Sequence, residues 1–253
     1  MNTEKVVVIT GGSRGLGRNA AIKLAENGVG VVLTYHSNQA AAELVVGEIK
    51  AIGGKAVALH LDTGKTTSFS DFSEKLSGVL AETWQRTDFD YLLNNAGVGL
   101  HVPITQLTED QFDDLMNIHF KGVVFLTQRL LPYIKEGGSI LNVSSGLARF
   151  TVPGAAAYAA MKGAIEVFTR YLAKELGPRQ ITANVLAPGA IETDFGGGRV
   201  RDNADMNAFV ASVTALGRAG LPDDIGMVVK LLLSDEAHWI NGQRIEASGG
   251  MVL

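Results

Sequence analysis

Tyr158 and Lys162 stand four residues apart in a segment of helical period, so a phenol and an ammonium share one helix face. An unperturbed tyrosine, with a pKa near ~10, is a poor acid or base at neutral pH. A cation held beside it favours the phenolate and moves that pKa towards a useful range. Ser144 and Ser145 close the β-type run Ser139–Val143. A hydroxyl at the end of such a strand could hydrogen-bond a substrate oxygen as charge builds on it. Taken singly, the Tyr-Lys spacing equally describes a solvated helix face, and the serines an ordinary turn.

A second group of residues is suited to phosphate. Thr10-Gly11-Gly12-Ser13-Arg14-Gly15-Leu16-Gly17 follows the first strand-like run and opens a helical pattern. Gly11 lets the chain turn off the strand, and Gly15 and Gly17 let backbone approach a pyrophosphate and pack the helix on a sheet. The helix N-terminus then offers free N–H donors to the anion. The spacing is not the usual G-x-G-x-x-G, and a glycine-rich turn without a ligand reads the same way. Asn94-Asn95-Ala96-Gly97 closes another strand with amides and a glycine, or with a plain Asx turn. Gly64-Lys65-Thr66 is no phosphate loop, because the required upstream glycine is Leu59.

These groups need strands and helices to bring them together. Strands are expected near Lys5–Thr10, Val29–Tyr35, Lys55–Leu61, Phe89–Asn94, Ser139–Val143, Ile181–Leu186 and Arg244–Glu246. Helices are expected near Gly15–Asn27, Gln39–Ile52, Ser68–Thr83, Glu109–Ile134, Ala155–Leu176 and Pro222–Leu233. Several strands are continuous apolar runs, as a strand covered on both faces requires. The alternation implies right-handed crossovers and an α/β fold, a doubly wound, seven-stranded parallel sheet with helices on both faces. The 253 residues show no linker, charge block or repeat, so one domain over 1–253 is expected. Gly196-Gly197-Gly198 and their polar neighbours read as a mobile loop near 195–207.

Composition excludes whole classes of function. Apolar residues make up 46% and charged residues 19%, with a net charge of -4, which is globular and offers no basic surface for nucleic acid. Without cysteine there is no disulfide, thiolate metal site or Cys nucleophile. The five histidines fall in no ligand spacing, so no metal is expected. Met1 to Lys5 lead into an apolar run too short for a secretion signal, and no run reaches the ~18 residues needed to cross a bilayer. A soluble cytoplasmic protein without a membrane partner is the expectation.

In combination, the motifs resemble the classical short-chain dehydrogenase/reductase family from Thr10 to Gly250. The glycine turn, Asn94-Asn95-Ala96-Gly97, Ser145 thirteen residues before Tyr158, Lys162 and Pro188-Gly189 match in order and spacing. The resemblance implies a Rossmann-type fold and a catalytic set. Tyr158 would donate a proton to a carbonyl oxygen, or act as base in the reverse direction. Lys162 would bind the nicotinamide ribose and lower the phenol pKa, and Ser145 would orient the carbonyl. Asn117 would be the fourth catalytic residue, supporting a water-mediated proton relay, although a polar residue kinking or capping a helix fits it too. For the cofactor, the resemblance implies contacts from Gly11, Ser13, Arg14, Gly15, Leu16, Gly17, Tyr35, His36, Ser37, Asn95, Ala96 and Gly97. Asp62 would meet the adenine, or cap the next helix, and Pro188, Gly189, Ile191 and Thr193 would cover the nicotinamide.

Cofactor choice follows from what ends the second strand. An NAD site places a carboxylate there, but this strand runs into Tyr35-His36-Ser37-Asn38, and the first acid beyond is Glu43. Arg14 can pair with a 2′-phosphate, which favours NADP(H). The expected reaction is reduction of a small-molecule carbonyl to an alcohol, or its reverse. A 3-oxoacyl-thioester reductase and a catalytically silent NADP-binding regulator are the alternatives. Leu147–Phe150, Val98–His101 and Phe195–Asn207 should line the substrate pocket. The resemblance also implies a homotetramer built on the two long helices.

Overall fold

The computed structural model describes residues 4–253; Met1, Asn2 and Thr3, part of the segment expected to lack a secretion signal, lie outside it. Seven strands form one parallel sheet, in the order β3-β2-β1-β4-β5-β6-β7. They are β1 (Val6–Ile9), β2 (Gly30–Tyr35), β3 (Ala56–His60), β4 (Phe89–Asn94), β5 (Ile134–Val143), β6 (Thr182–Pro188) and β7 (Arg244–Ala247). The order reverses between β1 and β4. In an open parallel sheet that reversal leaves a crevice beyond the carboxyl ends of the strands.

Period-two alternation explains why both faces are covered. On β1, Val7 and Ile9 belong to one core cluster and Val6 and Val8 to the other, and all four are fully buried. Helices α1 (Gly15–Ala25), α2 (Gln39–Ala51) and α9 (Pro222–Leu232) cover the first face. The second is covered by α3 (Phe69–Trp84), α5 (Gly122–Leu130) and α6 (Ala156–Glu175). The expected fold class and the seven strands are therefore found.

Two expectations need correction. The helix expected over Glu109–Ile134 is three pieces: α4 (Glu109–Met116), a π-turn over Asn117–Lys121, and α5. It stops before Pro132, and Ile134 already opens β5, where it pairs with Phe89. Pro132 has no N–H to continue the ladder. The second correction concerns 195–207. Gly196, Gly197 and Gly198 take left-handed backbone, but beyond them the chain forms α7 (Arg199–Asp202) and α8 (Ala204–Ser212) in place of a loop. Asn203 caps α8, its side chain accepting from Met206 N–H at 2.8 Å, and a hydrogen bond to an N-terminal N–H is what starts so short a helix.

Candidate active site

The crevice is walled by the strand ends, and the glycine turn forms its floor. Gly11 has a φ of 66°, and a Cβ there would come within 2.9 Å of the Ala96 Cα, so the turn is pressed against the segment after β4. A Cβ on Gly17 would lie 2.2 Å from the Gly11 carbonyl oxygen, an impossible contact, so glycine is required there. Asn95 locks the turn from the other side, its amide donating to the Thr10 and Gly11 carbonyls at 3.0 Å each. Thr10 answers by accepting from the Asn95 and Ala96 N–H groups. Asn95, expected beside a ribose, is thus first a clamp on the glycine turn.

The α1 N-terminus beyond the turn has no side-chain cap: Arg14 occupies that position, exposed, and makes no capping bond. Four N–H groups at such an end need partners from elsewhere. Around them stand the other expected residues. Ser13 and Leu16 are part of the turn, with Leu16 packed on the core. Tyr35 ends β2 and meets His60 edge-on, and His36 and Ser37 are exposed. Asp62 accepts from Gly64 N–H at 2.9 Å and lies 3.6 Å from His36 Nε2. Across the crevice, Pro188 ends β6, Gly189 is pinned to Ala247, and Ile191 bridges to Gly220. A Cβ on Gly15 would touch Thr193 at 3.6 Å, so the Pro188–Thr193 segment faces the glycine turn.

Tyr158 and Lys162 lie on the buried face of α6, with Met161, Ile165 and Thr169, not on a solvated one. The Lys162 Nζ donates to the Val143 carbonyl at 2.7 Å and sits 5.6 Å from the centre of the Tyr158 ring. Ser145, at the end of β5, places its hydroxyl beside the phenol. Ser144 does structural work: its hydroxyl bonds Glu166 at 2.8 Å, and Glu166 in turn pairs with Arg244 at 2.7 Å.

Burial decides the acidity of this pair. It pushes the phenol up to about 12, with the Ser145 hydroxyl pulling weakly the other way. It also brings the Lys162 ammonium down to about 8. Desolvation of the phenolate is the larger of the two causes, and the side-chain bond from Ser145 opposes it. The phenol is held as an acid that keeps its proton at neutral pH.

At Asn117 the long helix is interrupted, as the helix-kinking alternative for that residue describes. That residue opens the π-turn, and its carbonyl accepts from Gly122 N–H. The extra residue in the turn carries His119 inwards, its ring edge-on to Tyr158 with centres 5.1 Å apart. Burial and the nearby Lys162 charge hold that imidazole down to about 3. His119 had no motif to announce it, since a π-turn leaves no mark in a helical period.

Opposite His119, the Phe195 ring lies 5.9 Å from the Tyr158 ring, tilted by 52°. It rests on Gly99, where a Cβ would approach to 3.2 Å. The Val102 N–H donates to the Gly154 carbonyl at 2.8 Å, joining the segments after β4 and β5. One residue of each stretch expected to line a substrate pocket reaches the Tyr158 cluster: Leu100, Leu147 and Phe195. Among the described residues, no cluster of side chains could hold a metal ion, and no helix is long and apolar enough to cross a membrane.

Comparison with known proteins shows the family. Residues 11–252 match the sequence family described as enoyl-(acyl carrier protein) reductase. An uncharacterized oxidoreductase of Methylorubrum extorquens is 38% identical over 247 residues, spanning 98% of this chain and 97% of its own. A tetrahydroxynaphthalene reductase of Pestalotiopsis fici is 36% identical, over 98% of this chain and 91% of that protein. The crystal structure of the angucycline C-6 ketoreductase LanV, with bound NADP, superposes with a TM-score of 0.94 at 34% identity, covering 99% of this chain and 97% of that one.

Proposed function

The chain belongs to the classical short-chain dehydrogenase/reductase family, and from that premise we infer that it reduces a ketone to an alcohol, or runs the reverse, with NADP(H). The observation that carries this reading is the meeting of Tyr158, Lys162 and Ser145 where the glycine turn and the Pro188–Thr193 segment face each other. The residues present fit the dinucleotide. The uncapped α1 N-terminus, and a turn with no room for a Cβ at Gly11, Gly12 and Gly17, suit a pyrophosphate. Arg14, His36 and Ser37, with no carboxylate closing β2, suit a 2′-phosphate. When bound, the cofactor supplies the hydride.

The chain's own residues supply position and a proton. Ser145 donates a hydrogen bond to the substrate carbonyl oxygen as negative charge grows there. Tyr158 donates its phenolic proton to the same oxygen, and the Lys162 ammonium stabilises the phenolate left behind. The substrate that suits this site is an aromatic or fused-ring ketone. Phe195 and Tyr158 bring two aromatic rings to the site, and Phe195 and His101 pack directly on Gly99 and Gly154. The naphthalene and angucycline reductases among its relatives support that class. We also assign the chain to the cytoplasm.

Steady-state assays with NADPH and NADH against aryl ketones, aliphatic ketones and an acetoacetyl thioester test the proposal. The expected result is NADPH-dependent turnover favouring fused-ring ketones, and a loss of roughly 10²–10⁴-fold in kcat for Tyr158→Phe with NADPH binding retained. Near-normal turnover in that variant overturns the role of Tyr158. A preference for the thioester replaces the substrate class, and NADPH binding without turnover of any carbonyl leaves a silent regulator.

A further inference from the structure

Arg149 follows Ser145 in a stretch expected to line the substrate pocket, yet its guanidinium is engaged elsewhere. It donates to both carboxylate oxygens of Glu246 on β7, at 2.9 and 2.8 Å, and to the carbonyls of Met251 and Val252, at 2.9 Å each. An isolated surface ion pair contributes little. A planar fork that spans a carboxylate and two carbonyls fixes orientation as well as distance. Arg244 meets the same carboxylate at 2.7 Å and donates to the Ser145 carbonyl at 3.3 Å. It also holds Glu166, the partner of Ser144. Two arginines and two carboxylates, with no net charge, thus connect β7, α6 and the chain after β5.

Met251 and Val252 belong to a strap that crosses the chain just after α8. The Gly249 and Gly250 carbonyls accept from the Leu216 and Ala215 N–H groups at 3.1 and 3.2 Å, and the Val252 N–H donates to the Val213 carbonyl at 2.9 Å. Val252 has a φ of 52°, left-handed backbone that a β-branched residue rarely takes. Such a conformation persists only where the surroundings impose it, so the strap is a fixed point. On the other side of Arg149 is the turn that begins at Ser145. The Arg149 N–H donates to the Gly146 carbonyl at 2.9 Å, closing a tight turn over Gly146–Ala148. Within it the Leu147 N–H donates to the Ser145 Oγ at 3.2 Å. We propose that Arg149 is a positioning residue for Ser145: by clamping this turn to the strap and to Glu246, its guanidinium holds the Leu147 N–H, and with it the Ser145 hydroxyl, in place beside the phenol of Tyr158.

The proposal rests on the reductase reading only for its kinetic arm. Arg149→Ala should lower kcat for an aryl ketone about 10–100-fold, the usual consequence of a slightly displaced catalytic group, and change NADPH affinity by less than about threefold. In a Ser145→Ala background the same substitution should cost less than about threefold, because the hydroxyl it positions is already gone. A clamp that only stabilised the fold would give the same loss in both backgrounds. Val252→Pro attacks the strap from its other end, since proline lacks the N–H and cannot take a positive φ. It should reproduce the loss of kcat, and the two substitutions together should lose no more than about threefold beyond Arg149→Ala alone.

Amide hydrogen exchange gives a second readout that needs no turnover. In Arg149→Ala and in Val252→Pro the Leu147 amide should exchange at least about tenfold faster than in the wild type, while the amides of Val7 and Val8 in β1 stay protected and show that the sheet is intact. Wild-type exchange at Leu147, an unaltered kcat in either variant, or an equal loss with and without the Ser145 hydroxyl overturns the proposal. Failure of the wild type to reduce any ketone overturns the reductase reading instead, and exchange at Leu147 still decides whether Arg149 holds the turn.

Discussion

Lys162 shows most sharply how the site trades stability for chemistry. Its ammonium is 5% exposed and held down to about 8, against an ordinary value of 10.5. Between those two values the unfolded chain binds a proton that the folded chain has lost, so stability rises with pH across that window. The burden is therefore present in full below about pH 8 and is relieved as pH climbs towards 10.5. Lys162→Met should abolish turnover yet raise folding stability at neutral pH. About 1–2 kcal/mol is expected, part of the desolvation gain being offset by the lost bond to Val143. Melting temperatures of the two proteins at about pH 7 and about pH 10 check this: the gap should narrow at the higher pH. The catalytic pair was legible in the sequence because spacing of four sets a shared helix face whatever surrounds it. Its acidity was not, since pKa depends on burial, and no residue near Tyr158 in the chain reveals that the phenol lies inside. His119 escaped for a related reason, since its ring meets Tyr158 only in the folded state.

At the scale of elements, the strands were readable and the interruption of one helix was not. Continuous apolar runs such as Val6–Ile9 and Val31–Leu33 have one physical solution, a strand between two helix layers. The segment Glu109–Leu130 keeps an apolar helical pattern on both sides of the π-turn, so its sequence reads as one helix. What imposes the turn is tertiary contact at Gly122. A Cβ there would lie 2.0 Å from the Thr63 carbonyl oxygen and 2.7 Å from that of Asn117, both rigid backbone atoms. The start of α5 is thus seated on the loop after β3, and the added residue absorbs the change of phase between α4 and α5. Gly122→Ala should force the two apart, costing about 2–4 kcal/mol through overpacking. Chemical denaturation measures that loss. Because the shift would carry His119 with it, kcat should fall more than the NADPH affinity, which rests on the distant glycine turn. By contrast, alanine at Gly163, with nothing of its own chain within 4 Å of an added Cβ, should be tolerated by the fold of the single chain; it shares the outer face of α6 with Val167 and Tyr171, so a penalty would appear only on assembly.

The molecule as a whole exposes more apolar surface than its fold accounts for, and it does so on two sides. Phe125 on α5 is 44% exposed, and Val167 and Tyr171 on α6 are 46% and 64% exposed. Across the sheet, Met227 and Leu231 stand one turn apart on α9 at 52% and 57%, close in sequence to Trp239 at 99%. One such face would suffice for a dimer. A closed tetramer with three mutually perpendicular twofold axes needs two different self-complementary faces, and helices on opposite sides of one sheet supply them. We therefore expect a homotetramer in solution, paired through α5 and α6 on one axis and through α9 and Trp239 on another. Light scattering after gel filtration should give about four times 26.8 kDa. A charge placed in either face should stop assembly halfway: Tyr171→Glu and Leu231→Glu should each yield dimers, and the double variant monomers, because an unpaired carboxylate is not readily buried at an interface. Wild-type monomers would refute the pairing. Dimers unaffected by Leu231→Glu but split by Tyr171→Glu would restrict assembly to the α5–α6 face. The catalytic side chains sit inside each chain at the strand ends, so the dimeric variants should still bind NADPH. A loss of turnover in them would then measure how far assembly steadies α6, which carries Tyr158 and Lys162 on its inner face and Val167 and Tyr171 on its outer one.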